Sequence, residues 1–155
     1  MMQNLVSNPE RLAVVAITRD EARLWLHGIG AEHLPEYVHP PLEVDHRHRR
    51  TGQNHHGHES AHRFPEYFEA VAEKIRNYDG ILILGHGVGK SAYGALLGNY
   101  LEKKHPDVAG KILEIANIDL TRLSEGEIAL YAREWFSKNY SKLVSWHERK
   151  PFKWI

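Results

Sequence analysis

GILILGHG, residues 80–87, is an apolar run closed at both ends by glycine. No polar residue alternates with the apolar ones, so the run fits a strand covered on both faces rather than one with a wet side. Such a strand needs helices above and below it. Downstream, SAYGALLGNYLEKKH (91–105) reads as a helix stopped by Pro106, and KILEIANIDL (111–120) as a further strand. Residues 124–146 read as a long closing helix, with Ser124 as N-cap and Glu127 at the capping-box position. A strand–helix–strand crossover makes the two strands parallel.

Upstream, the periodicity of Phe64, Phe68, Val71, Ala72 and Ile75 predicts a helix beginning near Ser60, with Pro65 in its first turn. RLAVVAIT (11–18) and ARLWLHG (22–28) predict a β-hairpin across the short turn Arg19-Asp20-Glu21. EYVHPPLEV (36–44) predicts a third strand at an edge, because Pro40 and Pro41 would break a central ladder. The order β-β-β-α-β-α-β-α predicts a single α/β domain over 1–155. Its expected core is a mixed, ribonuclease H-like sheet with helices on both faces.

Composition narrows the function classes. The chain has 155 residues, 42% of them hydrophobic, with no cysteine and zero formal net charge. Disulfides, zinc ribbons and thiol chemistry are excluded, and a reducing, cytoplasmic setting is expected. MMQNLVSNPE lacks the pattern of a secretory signal, and no apolar run is long enough for a membrane span. Neutrality overall means that affinity for nucleic acid must come from a local patch.

That patch is VDHRHRRTGQNHHGHES, residues 44–60. Six histidines and four arginines fall between His46 and Arg63. A long protruding loop is expected over 45–59. As metal ligands, His46, His48, His55, His56 and His58 match no helical H-E-x-x-H spacing, and Gly52 and Gly57 give them no rigid frame. No metal and no cofactor is expected. A second candidate is the turn Gly85–Ser91. Gly87, Gly89, Lys90 and Ser91 resemble a phosphate loop, but the glycine that such a loop needs earlier is Leu84. A tight turn with glycines at positive φ fits better, with a phosphate contact from Lys90 as the alternative.

The hairpin, the basic run before Thr51-Gly52-Gln53, the helix opening HESAHRFPEYFEAVAEKI and the GILILGHG strand together resemble the middle domain of archaeal and eukaryotic class I peptide-chain release factors. The likeness is greater to their bacterial single-chain relatives and spans residues 11–136. It implies a ribonuclease H-like body whose loop carries a glutamine to the ester of peptidyl-tRNA on the ribosome. Gln53 would orient water or stabilise the oxyanion through its backbone N–H, and Gly52 would give close approach. Arg47, Arg49, Arg50 and Arg63, with His46 and His48, would meet RNA. One departure is Thr51, which stands where the family has its first glycine. A β-branched residue there is strained if φ is positive, which weakens catalysis while sparing the fold and RNA docking. The chain also has no room for the family's stop-codon-reading and partner-binding domains, so rescue of stalled ribosomes or a regulatory binding role is expected rather than ordinary termination.

Two other function classes stand beside this one: a nucleotide- or phosphate-binding protein using the Gly85–Ser91 turn, and a non-catalytic module whose histidines bind a metal or partner. Residues 137–155 read as a helix end and a basic tail. There Lys138, Lys142, Arg149, Lys150 and Lys153 complement the helix dipole, while Phe152 and Trp154 pack on the domain.

Overall fold

The computed structural model describes residues 12–41, 56–89 and 92–139, with side chains from residue 65 onward in the second segment. In chain order the elements are β1 (Leu12–Ile17), β2 (Ala22–Trp25), β3 (Glu36–Val38), α1 (His56–Ile75), β4 (Gly80–Gly85), α2 (Tyr93–Lys104), α3 (Pro106–Ala109), β5 (Ile112–Asn117), a 3-10 turn (Leu120–Arg122) and α4 (Glu125–Lys138). The five strands form one sheet in the order β3-β2-β1-β4-β5. β1, β2 and β3 pair antiparallel, and β1, β4 and β5 pair parallel. This is the mixed, ribonuclease H-like α/β arrangement, with β3 at an edge.

Alternation along the central strands divides the core. Ala13, Val15, Ile17, Ile81 and Ile83 face α1, α2 and α3, where they meet Tyr67, Phe68, Val71, Ile75, Leu97, Leu101 and Val108. Val14, Ala16, Leu82 and Leu84 point the other way, onto Ile128, Ala129, Ala132 and Trp135 of α4. Every residue of β4 is buried, as an unbroken apolar strand with helices on both sides must be. Polar ties fix the layers. Tyr78 Oη donates to the Leu26 carbonyl at 2.6 Å. On the other face, Arg133 of α4 donates to the Ile29 carbonyl.

Several boundaries differ from the sequence reading. α1 starts at His56 instead of near Ser60, and Pro65 lies inside it rather than in its first turn. Pro65 is exposed, so water can take up the hydrogen bond that its missing N–H leaves unmade. Residues 56–59, expected in the loop, are therefore helical. β2 stops at Trp25, and the chain turns at Gly28 with φ 139°. Pro106 ends α2 but also opens α3, the position a helix tolerates best. β5 carries a bulge, with Ile81 opposite Ile112 and Leu82 opposite Glu114, which leaves Leu113 as the extra residue. α4 begins as expected: Glu127 N donates to Ser124 Oγ at 3.1 Å and Ser124 N to Glu127 Oε1 at 2.9 Å. It ends at Lys138 rather than near residue 146, where Asn139 Nδ2 donates to the Trp135 carbonyl at 2.8 Å. The basic tail beyond lies outside the described residues. No helix among the described residues is long and apolar enough to cross a membrane.

Gly85, the last residue of β4, touches α2 backbone to backbone. A Cβ there would stand 2.9 Å from both Cα and N of Gly94. Because backbone cannot swing aside as a side-chain tip can, Gly85→Ala is expected to lower stability by about 1–3 kcal/mol. Chemical denaturation would show this as an earlier midpoint at unchanged slope.

Candidate functional site at the carboxyl end of the sheet

Strand register places Val38, Ala22, Ile17, Gly85 and Asn117 in one row across the sheet. β1, β3, β4 and β5 all run toward this row, so four connections leave the sheet at the same end. Open α/β sheets bind ligands outside the carboxyl ends of their strands, where the connections diverge. Thr18 turns the first of them: its Oγ1 accepts from Asp20 N at 3.2 Å and Glu21 N at 3.4 Å. The Thr18 carbonyl accepts from Tyr67 Oη at 2.7 Å, which fixes where α1 crosses this end. The part of α1 before Tyr67, residues 56–66, runs on for roughly 16 Å at the helical rise per residue.

His86 and the turn after it leave this end from β4, between β1 and the edge strand β5. Gly87 and Gly89 have φ of 94° and 59°, the left-handed values expected of them. Val88 between them is 77% exposed, and a Cβ on Gly89 would meet nothing within 4 Å among the described residues. His86 Nδ1 faces two acceptors, the Ile118 carbonyl at 3.3 Å and Asp119 Oδ1 at 3.4 Å. Thr121 Oγ1 donates to the same Asp119 oxygen at 2.7 Å, and Arg122 Nε lies 3.5 Å from the other. The Thr121 hydroxyl first, then the nearby His86 and Arg122, hold the Asp119 carboxyl below its ordinary value and keep it anionic. Nδ1 is thus the ring nitrogen that faces these acceptors.

Of the residues singled out in the sequence, Gly87 and Gly89 belong to this end. Thr51, Gly52, Gln53, His46, Arg47, His48, Arg49, Arg50, Lys90 and Ser91 lie outside the described residues. Arg63 lies within α1, its side chain outside the description. Among the described residues, no group of three or more His, Asp or Glu could hold a metal ion. His86 and Asp119 were not among the sequence candidates; both fell inside runs read as strand, 80–87 and 111–120, whereas β4 ends at Gly85 and β5 at Asn117.

A second polar cluster ties α1 to α2. Glu69 Oε1 accepts from Tyr100 Oη at 2.6 Å, and His105 Nε2 lies 2.9 Å from both Glu69 oxygens. These bonds, that to His105 foremost, hold the Glu69 carboxyl below its usual value. Burial, then the Glu69 carboxylate, pushes the Tyr100 hydroxyl up to about 12. A lowered carboxylate stabilises the fold above its unfolded value of 4.5, and that contribution is lost as pH falls through the folded value. Glu69→Gln is therefore expected to cost about 1 kcal/mol near neutral pH, discounted for the half-exposed carboxylate. The difference in thermal midpoint between wild type and variant should shrink below pH 4.5; a constant difference down to strong acid would contradict the assignment.

No family model matches the chain, and no curated protein does. Among solved structures it is similar to Archaeoglobus fulgidus Pelota, whose crystal structure was described as revealing inter-domain structural plasticity. The TM-score is 0.43 at 12% sequence identity, over 86% of this chain and 37% of that one. The chain thus spans little more than a third of Pelota's length.

Proposed function

We propose that this chain is a translation-associated RNA-binding domain that presents its basic stretch, residues 44–60, to ribosomal RNA. The observation that carries the reading is topological. β3 ends at Val38 in the carboxyl-end row, and α1 passes that row at Tyr67 with its first turns beyond it. Both flanks of the basic stretch are thereby anchored at the end where the other connections also emerge. In this reading Arg47, Arg49, Arg50 and Arg63, with His46 and His48, meet phosphates and stacked bases. The resemblance to release-factor middle domains adds the chemistry: Gly52 gives close approach, and Gln53 positions water at the ester of peptidyl-tRNA. Ribosomal RNA and the substrate itself supply the rest of that site. The reading places the chain in the cytoplasm, rescuing stalled ribosomes.

Release of labelled peptide from stalled ribosomes tests the catalytic part. Wild type should release peptide above background, and Gln53→Ala, which removes the side-chain amide that positions the water, should slow release by about 10²-fold. Equal background release from both would leave RNA binding without hydrolysis.

A further inference from the structure

We infer that β5 is a docking edge for a second copy of this chain: two β5 strands pair antiparallel about a two-fold axis at Ala116 and join two sheets into one. This does not depend on the RNA-binding reading above. The two edges of the sheet differ. β3 spans three residues and runs into Pro40 and Pro41, which blunt it. β5 spans six, ILEIAN, with no proline and with Glu114 as its one charge. Its bulge lies at Leu113, and from Glu114 to Asn117 it follows Leu82 to Gly85 in unbroken register. Ile118 N donates to the Gly85 carbonyl at 2.8 Å. Backbone groups alternate in direction along a strand, so those of Ala116 also face β4 and those of Ile115 and Asn117 face outward. Among the described residues, no backbone group pairs with β5 on that outer side.

α2 holds this edge in shape. A Cβ on Gly98 would stand 2.6 Å from Ile115 Cδ1, so the bare glycine is what seats the isoleucine there. Ile115 is nevertheless 40% exposed, an apolar side chain with one side covered and one open. Such a strand complements itself. Pairing about Ala116 sets Ile115 opposite Asn117 of the second copy on both sides of the axis, and the outward N–H and C=O groups exchange about four hydrogen bonds. Ala116 meets its own copy at the closest approach, about 4.5 Å between Cα atoms, and brings only a methyl group there. Glu114 falls opposite Ile118 of the second copy and about 13 Å from the other Glu114, so no like charges face each other. A second copy thus supplies, by symmetry, the donors, acceptors and charge spacing that this edge needs.

Sedimentation equilibrium of the full chain over a concentration series should show reversible exchange between monomer and dimer. Asn117→Pro removes an N–H that no bond within the chain uses, and should weaken dimerisation by about tenfold or more, one hydrogen bond being lost from each copy. Because the chain has no cysteine, Ala116→Cys introduces a single thiol, at the axis. Under mild oxidation in dilute solution this variant should form a disulfide-linked dimer, since the paired Cα atoms lie within disulfide reach. Asp107→Cys, exposed on α3, should stay monomeric under the same conditions. The crosslink does not require Asn117→Pro to fold. A chain that is monomeric at every concentration overturns the inference, as does a dimer that Asn117→Pro leaves unweakened or that Ala116→Cys fails to crosslink.

Discussion

Replacing Phe68 with alanine is expected to destabilise the chain by about 3–5 kcal/mol, the cost of a cavity left by a buried ring. Phe68 is 2% exposed, and its ring centroid lies 5.7 Å from Tyr67, 6.1 Å from Tyr93 and 5.6 Å from Tyr100. It joins α1, α2 and the sheet at one point, so the space it leaves cannot be closed by moving one side chain. Chemical denaturation of the wild type and variant measures the effect directly. A loss below about 1 kcal/mol, the size expected of a surface change, would mean that α1 does not dock on the sheet through this face. That would also remove the anchor that aims the basic stretch.

The second large effect falls on binding. Changing Arg47, Arg49 and Arg50 together to alanine should weaken ribosome binding by about 10²-fold at low salt, since each lost phosphate contact removes released counterions. The salt dependence should flatten as well. Three contacts at about 0.7 each lower the slope of log affinity against log salt by about 2. Cosedimentation across a salt series reads both quantities. An unchanged slope with weaker binding would assign the loss to misfolding, and no change in either would remove these arginines from the interface.

The parts of the fold legible in the sequence were those with strong local signals. GILILG could only be a doubly covered strand, and Ser124 with Glu127 marked the start of α4 by side-chain chemistry alone. The glycines at 87 and 89 announced a left-handed turn. The start of α1 was hidden because residues 56–63 carry no apolar stripe, so nothing periodic distinguished the helix from the basic stretch before it. The His86–Asp119 pair was hidden for another reason. Its members are separated by α2, α3 and β5, and only the parallel pairing of β4 with β5 brings them together. The backbone contact of Gly85 with Gly94 likewise exists only once α2 lies on β4. Local chemistry was readable, while juxtaposition waited on the register of the strands.

In the proposed function, the carboxyl end of the sheet faces RNA. Photocrosslinking on ribosomes tests it most directly, with a photoreactive residue placed either at Val88, at that end, or at Asp107, exposed on α3 before β5 begins at the opposite end. Crosslinks to ribosomal RNA are expected from position 88 and only background from position 107. RNA crosslinks from 107 with none from 88 would contradict it.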